Sequence, residues 1–331
     1  MGPLSDRTSD SIILLAVTEK RTWRVVAQQL RAAMHTVETL QTGPEFARVV
    51  SARKVELVII DSGFIDTCDR EQIAAILTDV HARGAKVLLL NEGQLSSKIP
   101  GLFKSFGVTN LLALRGPDYS SDILVTINKL LRKDIFGLEK YLPWGARVVR
   151  RTLHSSERKG TLLTELEEFA TRTDCPSRIA GAFVAVADEL LANAIYNAPI
   201  LPDGTPRFRH LDRSERVELP AGEEVRLAYA CDQGRFLISV RDHYGSLSVD
   251  KLVSYIERWA VGGSRQVQTE SGGAGLGLYM VFDLLSTFIV NLAPGQCTEC
   301  IGMVDIGGSY KESVSRPKSL HIFTGTDPNA D

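Results

Sequence analysis

Short apolar runs of strand length alternate with amphipathic stretches through residues 11–136, and this alternation restricts the fold more than any other feature of the sequence. Ser11-Ile-Ile-Leu-Leu-Ala-Val17 reads as a buried strand, followed by an amphipathic stretch from Thr22 to Met34. A short strand at Thr36–Leu40 precedes a helix with Pro44 in its first turn, where a missing N–H costs nothing. Val55–Ile60 is the next strand and runs into Asp61. A helix at Asp69–Arg83, a strand at Ala85–Leu90, a helix at Ser97–Phe106 and a strand at Thr109–Leu114 follow. The last helix of the series spans Asp118–Phe136 and stops at Gly137. Strands that are apolar throughout are buried on both faces, so a parallel sheet covered by helices on each side is expected. The fold class is α/β, beginning with a flavodoxin-like (βα)5 domain.

The chain has 331 residues, room for two domains at roughly 150 residues each. Its 44% hydrophobic and 24% charged residues exclude a wholly disordered or fibrous chain. Thirty-eight Lys and Arg against 40 Asp and Glu leave a charge of -2, which gives no electrostatic case for nucleic acid or an anionic membrane as main partner. No apolar run reaches the ~18 residues of a spanning helix, and no basic segment followed by a long apolar one opens the chain. Neither membrane insertion nor export is therefore expected. Five cysteines, an odd number, point to reduced thiols and a cytoplasmic setting.

Asp61, at the carboxyl end of the third strand, carries a first resemblance. Residues 10–137 resemble a response-regulator receiver domain, in which this position is the phosphoacceptor. Phosphoryl transfer there needs Mg²⁺ held by two acidic residues after the first strand, and here Val17 and Thr18 stand in those places beside Glu19. Asn91 replaces the Ser or Thr after strand four, and Arg115-Gly-Pro117 replaces the Lys-Pro after strand five. The reading is a pseudo-receiver used for protein contacts, with a phosphorylatable Asp61 as the alternative.

Residues 138–146 form a linker and 147–323 a second domain, with 324–331 as a disordered tail. Strands are expected at Val148–Leu153, Glu224–Cys231, Arg235–Asp242, Thr287–Leu292 and Cys300–Asp305. Helices are expected at Thr161–Thr171, from Pro176 to Ala198 with Asp174 or Ser177 as cap, at Val249–Trp259 and at Leu276–Ser286. Residues 199–216 read as a polar insertion.

Three segments of this domain carry chemistry. Glu189, Asn193 and Asn197 recur every four residues and share one helix face, where a carboxylate and two amides can hold Mg²⁺ and orient a nucleophile beside a phosphate. Asp242 leaves a strand into the turn His243-Tyr-Gly245, where a carboxylate can accept from an adenine amino group. Gly272-Gly-Ala-Gly275-Leu-Gly277 leads into an apolar helix, and backbone N–H groups at a helix start suit phosphate oxygens. Taken singly, these are a polar stripe, a strand-end turn and a glycine-rich loop. No Gly-Lys-Ser/Thr follows the glycines, and no strand directly precedes them, so neither a Walker A loop nor a dinucleotide fingerprint is present.

In order and spacing the three resemble the N, G1 and G2 boxes of the GHKL ATPases (the gyrase, heat-shock chaperone, histidine kinase and mismatch-repair group). The resemblance implies an α/β sandwich binding ATP and Mg²⁺, with Glu189 as catalytic base, Asn193 as metal ligand and Asp242 as adenine reader. Gly273, Gly275 and Gly277 would wrap the phosphates, with Leu276 between them, residues 246–274 as lid, and Asn197, Gly245 and Thr298 completing the nucleotide set. Tyr244 stands where the family usually has its first glycine, which displaces Gly245 by one. Neither helix before Glu189 carries the phosphoacceptor histidine of a sensor kinase. The arrangement is more similar to the anti-sigma serine kinases, which implies phosphorylation of a serine on a small partner, an anti-anti-sigma-like protein or another regulator. Pairing of receiver-like domains through their last helix implies a homodimer. The alternative is a non-catalytic adaptor whose nucleotide state controls partner binding. Cys297-x-x-Cys300 lacks a second pair and a nearby histidine, so zinc is not expected. His154 and His243 read as surface or turn residues, and Arg258 and Arg265 as lid residues able to reach a terminal phosphate.

Overall fold

All strands of the first unit but the short edge strand Val37–Thr39 form because apolar residues stand at consecutive positions, leaving no polar face to turn toward water. The strands are β1 (Ser11–Ala16), β2 (Val37–Thr39), β3 (Lys54–Asp61), β4 (Lys86–Asn91) and β5 (Asn110–Ala113). Their order is β2-β1-β3-β4-β5, with every pair parallel, which is the flavodoxin-like arrangement. The computed structural model describes residues 11–93, 103, 107–114, 119–232, 234–254, 274–307 and 316–326. It separates Met1–Glu92 with Gly101–Leu131 from Gly93–Pro100 with Arg132–Asp331.

Local signals set the helices α1 (Lys20–Ala32), α2 (Gly43–Ala52), α3 (Ser62–Thr67), α4 (Arg70–Ala82) and α5 (Tyr119–Arg132). Glu19 caps α1, which buries Val26, Ala27 and Leu30; Thr42 caps α2, with Pro44 in its first turn. Two expectations need correction. The chain between β3 and β4 makes two helices, because both Asp61 and Asp69 act as N-caps. α5 ends at Arg132 instead of Phe136, because Lys133 takes a left-handed φ of 59° that an α-helix cannot continue. The helix expected at 97–106 lies outside the described residues apart from Phe103.

Asp61 is occupied. Its Oδ2 accepts from the Thr18 N–H and hydroxyl, each at 2.8 Å, and its Oδ1 accepts from the Phe64 N–H at 2.6 Å. A Cβ at position 63 would come within 2.5 Å of the Thr18 hydroxyl, so the glycine keeps this junction closed. The carboxylate ties the β1–α1 turn to the start of α3.

The second unit contains β6 (Val149–Leu153), α6 (Lys159–Arg172), α7 (Ser177–Ala192), β7 (Val225–Cys231), β8 (Arg235–Asp242), α8 (Ala274–Leu284), β9 (Thr287–Ala293), β10 (Cys297–Asp305) and β11 (Ser319–Thr324). The strand order is β11-β9-β10-β8-β7-β6, antiparallel except for β9 with β11. α7 lies on β8 and β10 and packs against α6 and α8. Edge-on aromatic contacts join these layers: Phe183 meets Phe236 at 4.4 Å, and Phe169 meets Tyr229 at 5.0 Å. Ser177–Asn197 is long and apolar enough to cross a membrane, but 61% of its most apolar window is buried in the protein, as in a core helix.

Here too the sequence reading is corrected. β11 was not expected, and it carries ordered chain past the expected tail boundary: the Gly325 N–H still bonds the Leu292 carbonyl at 3.0 Å. Pro176 occupies the N-cap of α7 without a side-chain hydrogen bond, while Asp174 turns the chain at φ 53°.

Asp61→Ala should destabilise the protein by about 1–3 kcal/mol, the cost of a lost cap and orphaned buried donors, read from chemical denaturation. Incubation with acetyl phosphate and Mg²⁺ should give no aspartyl-phosphate mass shift at this position.

Candidate functional site

The polar stripe on α7 is a hydrogen-bonded ladder. Asn193 donates from Nδ2 to Glu189 Oε1 at 2.9 Å, and Asn197 donates to Asn193 Oδ1 at 2.7 Å. The last turn, Asn193–Asn197, widens to π geometry, closed by the Ala198 N–H on the Asn193 carbonyl at 2.9 Å.

Asp242 ends β8 and is 7% exposed. Its Oδ1 accepts from the Tyr244 N–H at 2.9 Å and the Gly245 N–H at 3.3 Å, an aspartate turn. Burial pushes its pKa from 3.8 up to about 6, offset in part by these N–H groups and by Thr298. Thr298 pairs with Asp242 across β10 and β8 and is buried, yet its hydroxyl closes no hydrogen bond of good geometry. Gly245 is obligatory: its φ is 57°, and a Cβ would collide with the Ala293 carbonyl and stand 2.8 Å from the Gly295 and Gln296 nitrogens. Tyr244 turns inward. Its hydroxyl donates to Glu223 Oε2 at 2.7 Å, which also receives Arg207 Nη1 at 3.1 Å. Burial, with that carboxylate, pushes the Tyr244 pKa upward.

A cavity of about 230 Å³ opens between these groups, below the usual size for enclosing a drug-sized ligand and suited to part of a larger one. Asn193, Asn197, Asp242 and Thr298 line it together. Leu190, Val240 and Leu278 supply apolar wall, and Cys300 adds a thiol whose pKa burial pushes upward. Glu189 stands beside the cavity, where Gly277 at the start of α8 meets it: a Cβ at 277 would fall inside the carboxyl group. Gly275 and Leu276 occupy the same first turn of α8. Gly273, Arg258, Arg265 and most of the expected lid lie outside the described residues.

Sequence reasoning missed the strap of residues 199–216. Ile200, Gly204, Pro206 and Arg209 line the cavity, joined there by Lys251, and neither cation makes an ion pair among the described residues. Arg213 grips Glu189 bidentately, Nη1 to Oε2 at 2.8 Å and Nη2 to Oε1 at 3.2 Å. The bond to Glu189 is the main reason its own pKa is raised. The density of cations at Arg207, Arg209, Arg213 and Arg216 was the available signal. His154 lies 3.6 Å from Glu224. No group of three His, Cys, Asp or Glu able to hold a metal occurs among the described residues.

Two substitutions probe this geometry. Gly277→Ala should cost about 1–3 kcal/mol, the penalty of overpacking, and displace the Glu189 carboxylate, visible as a lowered melting temperature. At Asp242 the folded state holds its proton more tightly than the unfolded chain does, so stability falls as pH rises from 3.8 to about 6. The Asp242→Asn variant lacks this loss. Relative to wild type it should gain from near zero at pH 3 to about 3 kcal/mol at pH 7, measured by denaturation across pH.

No protein-family model matches the chain, and no curated protein matches it. Solved structures do. The signal receiver domain of an HD domain-containing protein from Pseudomonas fluorescens Pf-5 matches at 17% identity, covering 39% of this chain and 93% of that one with a TM-score of 0.33. The chemotaxis protein CheY4 of Vibrio cholerae matches at 22% identity, covering 37% of this chain and 99% of that one with a TM-score of 0.31. A chain of the SiaB–SiaC complex from Pseudomonas aeruginosa matches at 13% identity, covering 55% of this chain and 97% of that one with a TM-score of 0.31.

Proposed function

We propose that this protein is a cytoplasmic signalling regulator that binds an adenine nucleotide in the second unit. The observation that carries the reading is the cavity, where a buried carboxylate and the hydroxyl beside it line the same space as two asparagines and two cations. Asp242 and Thr298 suit the amino edge of adenine, because a carboxylate only accepts and a hydroxyl both donates and accepts. Arg209 and Lys251 suit phosphate oxygens. The first turn of α8 lies beside Glu189 through Gly277, and backbone N–H groups at a helix start suit phosphate. The residues fit Mg²⁺ as a bridging ion and not as a caged one: Asn193 would supply a protein oxygen, with phosphate and water oxygens supplying the rest, as this cation prefers. The metal would neutralise charge on the phosphates. By its likeness to the GHKL motifs, the activity is transfer of the terminal phosphoryl group to a serine of a protein partner, with Glu189 accepting the hydroxyl proton.

A second reading, the non-catalytic adaptor, is favoured by one observation: Arg213 occupies both oxygens of Glu189. The two readings share nucleotide binding and differ in turnover.

Titration calorimetry of the full chain with MgATP and MgADP should give saturable binding, weaker for MgGTP, whose ring presents a carbonyl where adenine has its amino group. Arg209→Ala and Lys251→Ala should each weaken MgATP by about tenfold, or about 1.4 kcal/mol, and Asp242→Asn should reduce the preference for adenine. Absence of binding at millimolar nucleotide overturns the reading.

A further inference from the structure

Glu189 is the group that phosphoryl transfer needs free, and it is held on every side the structure describes. Its side chain is 13% exposed. The Asn193 amide engages Oε1, the backbone of Gly277 presses on the carboxyl group, and the Arg213 guanidinium spans both oxygens. A carboxylate offers about four lone-pair positions, and three are filled. Oε1 has two donors and Oε2 has the Arg213 guanidinium, so a water or hydroxyl must compete with Arg213 for this carboxylate.

The three neighbours are not equally able to leave. Asn193 is fixed by the turn of α7, and Gly277 is backbone of α8. Arg213 reaches in from the strap with its side chain 47% exposed. Its backbone is pinned independently of the guanidinium: the Tyr196 hydroxyl bonds the Arg213 carbonyl at 3.0 Å and the Glu215 carbonyl at 2.9 Å, and Arg216 pairs with Glu157 at 3.0 Å. The guanidinium, the half-exposed member of the pair, can therefore rotate into solvent while the strap stays in place.

We infer that Arg213 is a positioning residue acting through Glu189, a latch that withholds the candidate base in the resting protein. This rests on the nucleotide reading above. In the basal reaction Arg213 competes with water for Glu189, and opening the latch frees both oxygens on that side. The water's proton then passes to the carboxylate as its oxygen bonds the terminal phosphorus, and the bond to ADP breaks with its electron pair on the ADP oxygen. Products are ADP and phosphate, and Glu189 returns its proton to solvent.

Arg213→Ala and Arg213→Lys in the full chain test the latch with two readouts. The first needs no nucleotide: carbodiimide coupling of glycine ethyl ester to Glu189, followed by peptide mass spectrometry. Labelling should speed up about five- to tenfold in Arg213→Ala, the range expected from losing one half-covered bidentate pair. Arg213→Lys, a point donor without the fork, should fall between. The second readout is MgATP hydrolysis, where kcat should rise by a similar factor while KM stays within about twofold, as for a step after binding. Unchanged labelling overturns the latch, and so does a kcat that stays level or falls. If calorimetry finds no MgATP binding in wild type or variants, the nucleotide reading fails and the latch falls with it. That outcome differs visibly from proteins that bind and turn over alike, in which the latch alone is wrong.

Discussion

Three segments far apart in the chain converge on one carboxylate. Glu189 is contributed by α7, touched by the first turn of α8 through Gly277 and clasped by the strap through Arg213. A mostly covered charge is tolerable only if it is paired and hydrogen-bonded, and removing one partner of such a pair costs more than the pair itself contributes. The helix packing, the glycine at 277 and the strap conformation are thus conditions on one another. Any side chain at 277 would push α8 away from α7, and with it the segment that the GHKL resemblance assigns to phosphate binding.

The buried aspartates illustrate two uses of the same side chain. Asp61 has donors on both oxygens, all from the protein, and joins two local structures that would otherwise leave N–H groups orphaned. Thr18 supplies two of those donors, at a position where an acidic residue would repel the carboxylate and recruit a cation. With a hydroxyl and two backbone N–H groups on its oxygens, this carboxylate acts as a cap. Asp242 is as deeply placed, but burial dominates its electrostatics and its neighbours only partly compensate. It faces a cavity, and a ligand donor there would relieve the cost of keeping it ionised. In the first unit the carboxylate serves stability; in the second it costs stability that binding can return.

The elements of the first unit were legible because period and length agree: wholly apolar runs must be strands buried on both faces. The exceptions have local causes. Asp61 and Asp69 each start a helix, so the stretch between them folds separately, and a single positive φ at Lys133 ends α5 early. In the second unit the stripe Glu189, Asn193 and Asn197 was visible from spacing alone, and Asp242 from its place at a strand end. β11 was not, because Ser319–Thr324 is a short run whose pairing with β9 is distant in sequence. The strap was read as polar filler for the same reason: the meaning of Arg213 and Arg209 lies in contacts with residues around 189 and 242, which no local pattern encodes.

The strap also reframes the departure at Tyr244. Read against the GHKL motif, a tyrosine in place of glycine looks like decay of the nucleotide turn. In the folded chain its hydroxyl anchors Glu223, which anchors Arg207 at the start of the cation-rich part of the strap. Gly245, displaced by one, still makes the left-handed turn under the β9–β10 hairpin, so the turn survives the substitution. Tyr244 and Arg213 therefore belong to one arrangement: the first helps hold the strap over the cavity, and the second uses it to reach Glu189.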